Sequence, residues 1–229
     1  SMDYAARLRK EITDRATPSA SLGAGTSTVE RAETTSYSVL DKAGNAVAVT
    51  YTLNGGFGAG VIAGNTGFLL NDEMDDFTTK LGTPNQFGLV QGEANAIAPG
   101  KRPLSSMTPA VVLKDGAVKM VVGSPGGPRI ITSVLETLLN VIDYGMNAQE
   151  AVDAPRFHHQ WLPDILYAEP FALSPDTRAL LQRMGYDVVV QHPWSAVALI
   201  ATPPDDRTAP GVYQGAADPR RPGGAALAP

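Results

Sequence analysis

The sequence predicts an α+β layered domain, and three observations carry that expectation. Strands fall in consecutive pairs joined by short glycine-containing turns. Helical patterns with a 3.6-residue apolar period are segregated between those pairs. The composition is that of a globular chain: of 229 residues, 43% are hydrophobic and 18% charged, which is too apolar for disorder and ample for a core. The formal net charge of −5 is spread without a long basic run, which argues against nucleic acid or an anionic membrane as partner. No apolar run approaches the roughly 18 residues needed to span a bilayer. Cysteine is absent, so disulfides, thiolate nucleophiles and cysteine-ligated zinc are excluded.

The elements follow in chain order. The opening "SMDYAARLRKEITDRATPS" reads as an expression scar at residues 1–2 joined to the middle of a longer sequence. Tyr4, Leu8 and Ile12 recur at helical spacing. Residues 14–33, "DRATPSASLGAGTSTVERAE", have the small, polar composition of a flexible linker. "TSYSVLD" and "NAVAVTYTL" then form a hairpin with Gly44 in its turn, and alternation separates Val47, Val49, Tyr51 and Leu53 from Ala48, Thr50, Thr52 and Asn54. Residues 80–107 read as loop. "PAVVLKD" and "VKMVVG" are a second strand pair about Gly116. "SPGGPR" opens the strongest helix, with Ile131, Val134, Leu135, Leu138, Val141 and Ile142 as its apolar face and Gly145 at its stop. A serine-capped helix in "SPDTRALLQRMGYDVVV" runs into a strand, "SAVALIAT" and "GVYQGA" supply the last strands, and the tail is irregular.

The chemistry is constrained by what is scarce. Of the three histidines, His158 and His159 sit in "APRFHHQWLPD" without a carboxylate at metal spacing, and are expected to pack and hydrogen-bond locally. With few histidines, a serine or threonine nucleophile needs another base. A threonine freed at its own N-terminus carries one, because its α-amine can take the hydroxyl proton. Thr34 and Thr35 stand at the head of a strand directly after a flexible stretch, the layout that self-cleavage at a fixed point requires. Ordinary β-branched strand residues would account for the same two threonines.

From "TTSYSVLDKAGNAVAVTYTLN" through "GFLLNDEMDDF", "PGKRPLSSMTPAVV", "GSPGGPRIITSVLETLLNVIDYG" and "GAADPRRPGGAA", the chain resembles the small subunit of the γ-glutamyltranspeptidases. These belong to the N-terminal-nucleophile hydrolases, so the resemblance implies a four-layer αββα sandwich of which this chain supplies part. It also implies a boundary: residues 1–33 resemble the end of a large subunit, and 34–229 the small-subunit catalytic domain. Thr34 matches the nucleophile, formed by autocatalytic cleavage of the Glu33–Thr34 bond through an N-to-O acyl shift. Thr52 matches its supporting hydroxyl and Asn54 a contact to the substrate's amino-acid end. Glu73 and Asp76 match receivers of the α-ammonium, and Ser105 and Ser106 match donors to the α-carboxylate. Gly126 and Gly127 match the oxyanion hole, which suits glycines ahead of a long helix. Phe87 falls in a lid loop over residues 80–92.

The activity so implied is transfer or hydrolysis of the γ-glutamyl group of glutathione-like compounds through a γ-glutamyl-threonine ester. It needs no metal or organic cofactor. The partner implied is the large subunit of the same precursor, whose arginine pairs with the substrate carboxylate, and without it these residues should bind substrate poorly. A periplasmic or extracellular location follows from the same resemblance. Ser36 departs from the pattern, which often has histidine there. A glutaryl (cephalosporin) acylase, a poly-γ-glutamate depolymerase and an inactive unprocessed precursor remain open, with Glu73 and Asp76 favouring a substrate that carries an α-ammonium.

Overall fold

In a computed structural model of the chain, residues 2–10, 12–22, 34–204 and 211–228 are described. Strands β1 (Thr34–Leu40) and β2 (Ala46–Thr52) form an antiparallel hairpin, with Gly44 at φ +86° in the turn. A second sheet has the order β3-β4-β8-β9, from Ala110–Lys114, Ala117–Gly123, Ala198–Ala201 and Gln214–Ala217, all antiparallel. The hairpin lies across this sheet: Ser38 Oγ donates to the Ala198 carbonyl at 2.9 Å. A Cβ built on Gly123 would fall 2.3 Å from Ser36 Oγ and 3.3 Å from Thr50 Oγ1. Glycine at 123 therefore leaves room for the Ser36 and Thr50 side chains against the sheet.

Helices α3 (Arg129–Ile142) and α4 (Ala148–Asp153) cover the opposite face of the sheet. Met120, Val122, Leu199, Ala201 and Ala216 on the strands meet Ile130, Val134, Val141, Ala151 and Val152 on the helices to form the core. The layering is thus hairpin, sheet, helices: three layers of the αββα sandwich.

The polarity of the hairpin is the opposite of a usual half-buried strand pair. Its hydroxyl-bearing face (Thr34, Ser36, Ser38, Thr50, Thr52) turns toward the sheet. Tyr37, Val39, Val47 and Tyr51 are 50–66% exposed on the outside.

The helix starting at Arg129 ends as expected. Gly145 has φ +65°, and the Met146 N–H reaches back to the Asn140 carbonyl at 3.0 Å. Its buried face, however, differs from the one that periodicity selects. Ile130, Ser133, Val134, Thr137 and Val141 are buried, whereas Ile131, Leu135 and Ile142 are 50–55% exposed. The helix is apolar on most of its circumference, so its period alone cannot choose the side that meets the sheet.

A third sheet joins β5 (Phe157–His158), β6 (Leu166–Ala168) and β7 (Val188–Val190), and β6-β7 is parallel. Helix α5 (Pro175–Met184) is the crossover that a parallel pair requires, capped by Ser174 and stopped by Gly185 at φ +108°. At the N-terminus, α1 spans Met2–Arg9 and so stops short of Ile12, and both Leu8 and Ile12 are exposed. The linker expectation for residues 14–33 is corrected at residues 19–22, and its 23–33 part lies outside the described residues. Ser19–Leu22 is a short helix, α2, whose buried Ser19 donates its N–H to Asp164 Oδ2 at 2.6 Å and accepts from Trp161 Nε1 at 3.1 Å. Glu33 lies outside the described residues.

Candidate active site

Register alone brings the two central hydroxyls together. Thr34 opens β1, Thr52 closes β2, and the hairpin pairs them directly. Thr34 Oγ1 donates to Thr52 Oγ1 at 3.1 Å, and Thr52 Oγ1 also accepts the Asn54 N–H at 2.8 Å. Thr34 is buried, 7% exposed. Asn54, two residues beyond the strand, takes φ +74°, a left-handed conformation that asparagine tolerates better than most residues. Its Nδ2 donates to the Asp72 carbonyl at 3.3 Å, and Asp72 Oδ1 accepts the Gly55 N–H at 2.8 Å. These bonds draw the acidic segment across to the hairpin.

Residues Glu73–Asp76 form one 3₁₀ turn, in which side chains three apart eclipse. The carboxyls of Glu73 and Asp76 therefore meet and hydrogen-bond. Burial, the bond to Asp76 and repulsion from Asp76 and Asp72 push Glu73 up to about 7. Burial, with repulsion from Asp75 and Asp72, raises Asp76 as well, although its bond with Glu73 acts the other way. Two carboxyls in this relation favour sharing a proton, because both cannot ionise cheaply side by side.

The next loop folds over the pair. Asn85 Oδ1 accepts the N–H groups of Phe87 and Leu89, each at 2.9 Å, and Gln86 N donates to Asp75 Oδ2 at 2.9 Å. Phe87 is thereby turned inward, 6% exposed. Asn95 Nδ2 donates to the Asp76 carbonyl at 2.7 Å while its Oδ1 accepts the Leu104 N–H at 2.9 Å, tying the acidic turn to the segment bearing Ser105 and Ser106.

A cavity of about 30 Å³ lies at the centre, lined by Thr34, Thr52, Asn54, Asp76, Phe87, Ser105, Ser106 and Gly127, with Pro128 and Ile130 behind. Eight residues singled out from sequence thus converge. Glu73 is linked to the cavity through Asp76, and Gly126 adjoins it without lining it. Gly126 has φ +139° and Gly127 φ +55°, both conformations that favour glycine. Their carbonyls accept from Arg129 N and Ile130 N at 3.1 Å each. Among the described residues, their own N–H groups have no protein acceptor, as expected at a helix start.

His158 is buried and bonded to Thr132 Oγ1 at 2.8 Å and Gln160 Oε1 at 2.9 Å, and burial lowers its pKa to about 4. His159 Nε2 lies 3.2 Å from Asp164 Oδ1. Both imidazoles pack and bond locally. Among the described residues no group of three or more His, Asp or Glu side chains is arranged to hold a metal ion, and no helix is long and apolar enough to cross a membrane.

Sequence reasoning missed two features. Arg221 Nη1 donates to the Thr34 carbonyl at 2.7 Å. Beneath it lies a buried ionic cluster: Arg156 Nη2 to Asp218 Oδ2 at 2.6 Å, Arg220 Nη2 to Glu169 Oε2 at 2.6 Å and Arg220 Nη1 to Asp218 Oδ1 at 3.1 Å. The available signal was charge, Asp218, Arg220 and Arg221 standing together in an otherwise uncharged tail, but no periodicity connects that tail to Arg156 or Glu169.

The geometry can be set against known proteins. The family model "Gamma-glutamyltranspeptidase" matches residues 1–228. The chain belongs to the gamma-glutamyltranspeptidase family. Within that family it is 55% identical over 230 residues to a glutathione hydrolase proenzyme of Pseudomonas sp. (strain A14), covering 98% of this chain and 40% of that protein. It is 52% identical over 219 residues to the Escherichia coli (strain K12) glutathione hydrolase proenzyme, covering 95% and 37%. The chain therefore spans about two fifths of the length of these relatives. A mutant of Helicobacter pylori gamma-glutamyltranspeptidase superposes with a TM-score of 0.77 at 53% identity, covering 82% of this chain and all of that one. The α+β fold is that of the gamma-glutamyltranspeptidases.

Proposed function

We propose that this chain supplies the catalytic half of a γ-glutamyl transferase or hydrolase whose nucleophile is Thr34. The observation that carries the reading is the convergence of Thr34, Thr52, Asp76, Ser105, Ser106 and Gly127 on one cavity. Cleavage of the Glu33–Thr34 bond frees the α-amine of Thr34. That amine takes the hydroxyl proton while Oγ1, held by Thr52, attacks the γ-carbonyl carbon. The oxyanion is received by the backbone N–H groups at Gly126–Gly127, where the helix start favours negative charge. The proton passes to the departing amine, leaving a γ-glutamyl ester on Thr34. Water or an acceptor amine then attacks the ester and restores the threonine.

The proton-sharing pair Glu73–Asp76 receives the substrate's α-ammonium, Ser105 and Ser106 the α-carboxylate, and Asn54 the same end of the substrate. A cavity of about 30 Å³ holds roughly one water, so the Phe87 loop moves to admit a glutamyl group and closes over it. No cofactor takes part. The partner is the remainder of the precursor, because the curated relatives are proenzymes more than twice as long and the outer hairpin face is apolar. Residues 34–229 form the small subunit, 1–33 end the large one, and the processed protein works in the periplasm or outside the cell.

The test uses the complete precursor. Mass spectrometry should find a new N-terminus at Thr34, and Thr34→Ala should abolish both cleavage and release of a γ-glutamyl anilide; turnover by that variant refutes the nucleophile. Equal rates on the glutaryl analogue, which lacks the α-ammonium, refute the role given to Glu73 and Asp76.

A further inference from the structure

Gly126 is packed against one particular residue. A Cβ built on it would fall 2.2 Å from Ser195 Oγ, 3.2 Å from Ser195 Cβ and 3.6 Å from Ser195 Cα. Ser195 therefore occupies the space a side chain at 126 would need. Ser195 itself adopts φ +66°, a left-handed conformation disfavoured for residues with a Cβ. Glycine or asparagine would fit that backbone more easily. Such a conformation persists only where the surroundings over-determine it, and here they do. Trp194 N donates to Glu169 Oε1 at 3.1 Å, and Arg156 Nη1 donates to the Trp194 carbonyl at 3.1 Å. Val197 N donates to Asp218 Oδ2 at 2.8 Å, and Ala196 N to Ser124 Oγ at 3.4 Å.

The side chain of Ser195 is held from the helix side as well. Ser133, fully buried on α3, donates its hydroxyl to Ser195 Oγ at 3.0 Å. The Arg129 guanidinium, at the first residue of the same helix, lies 4.7 Å from the centre of the Trp194 ring. The buried carboxylates Glu169 and Asp218 thus fix the 194–197 segment, and that segment in turn bears on the Gly126–Gly127 turn.

We infer that Ser195, backed by Ser133, is a positioning residue that fixes the Gly126–Gly127 turn from behind and so aims its N–H groups. The inference rests on the proposed reading that these N–H groups receive the oxyanion. Because the oxyanion exists only in the transition state and the intermediate, misalignment lowers kcat and leaves KM unchanged. A rigid wall is the physical reason for serine here: glycine would relax the backbone but remove the Cβ and hydroxyl that stand nearest Gly126, leaving only the Cα.

The test exploits this opposition in the complete processed protein, with a γ-glutamyl anilide as substrate. Ser195→Gly relieves the left-handed strain, so its melting temperature should stay within a few degrees of the parent. Its kcat should fall roughly tenfold to a hundredfold with KM within about twofold. Ser195→Ala, which keeps the Cβ, should lose less, and Ser133→Ala should lower kcat in the same direction without moving KM. The inference is overturned if Ser195→Gly keeps kcat within about twofold, or if its loss lies in KM. Should Ser195→Gly fail to process, Ser195→Ala and Ser133→Ala carry the same test, and parental kcat in both overturns the inference. Turnover by a parallel Thr34→Ala control identifies failure of the underlying active-site reading instead.

Discussion

An Asp218→Ala substitution removes a carboxylate on which four donors converge: Arg156 Nη2 at 2.6 Å, Val197 N at 2.8 Å, Arg220 N at 3.0 Å and Arg220 Nη1 at 3.1 Å. The decisive consequence falls on Arg156, which is 2% exposed. Burial already works against its charge, and Asp218 is the largest influence in the other direction. Hydrogen bonds to a charged group contribute about 1.5–3 kcal/mol each. Removing one member of a buried pair costs about 3–5 kcal/mol because the other charge is orphaned. Glu169 remains nearby as partial compensation, so we expect a loss of about 3–4 kcal/mol, a large share of the 5–15 kcal/mol typical of a domain. Urea denaturation followed by tryptophan fluorescence is a suitable assay, since Trp194 sits beside the cluster and donates its backbone N–H to Glu169. A loss below about 1 kcal/mol with an unchanged m-value would refute the reasoning. A double variant, Arg156→Met with Asp218→Leu, removes both charges and should be less destabilised than Asp218→Ala alone.

Three further predictions follow the same logic. Burial and the neighbouring carboxyls push Glu73 up to about 7 when folded, from the ordinary 4.5, so its contribution to stability is full below about pH 4.5 and is lost as pH rises to about 7. Glu73→Gln should therefore gain on the parent between pH 5 and pH 8, by about 1 kcal/mol once partial exposure is discounted from the full linkage; urea titrations that give the same difference at both pH values contradict the shift. Gly123→Ala drives a Cβ to 2.3 Å from Ser36 Oγ and should cost about 1–3 kcal/mol; adding Ser36→Ala should recover most of it in a double-mutant cycle. Asn147→Ala breaks a capping box in which Asn147 and Glu150 each accept the other's backbone N–H at 3.0 Å, and should cost about 1 kcal/mol in thermal or urea unfolding.

Much of the framework was legible because its signals are local. Alternation and a turn glycine located the hairpin, Gly116 the β3-β4 turn, and Ser174 with Gly185 the ends of α5. Helix α4 carried a readable signal as well, since Asn147 and Glu150 stand at capping-box spacing. The parallel β6-β7 pair, the docking of Ser19 and the ionic cluster had no local signal. Each depends on residues brought together across tens to more than a hundred positions of chain.

The candidate active site divides along the same line. Thr34 at a strand head, Thr52 on the hydroxyl face, the 73–76 carboxyls three apart and paired glycines before a helix are all properties of spacing, and sequence determines them, whereas Asn54 lies past the strand end in a left-handed conformation that alternation does not set. Which face of the hairpin is buried was decided by the tertiary structure. Strand alternation marks two faces without saying which neighbour each will meet, and here the hydroxyl face packs on the sheet while the apolar face is exposed. The same holds for α3, whose apolar circumference offers several faces, of which packing buries one. Arg221 on the Thr34 carbonyl and Ser195 behind Gly126 likewise exist only once the tail and the 194–197 segment are folded back. Period is a one-dimensional property of the chain, whereas burial and electrostatic partnership depend on distances that folding alone creates.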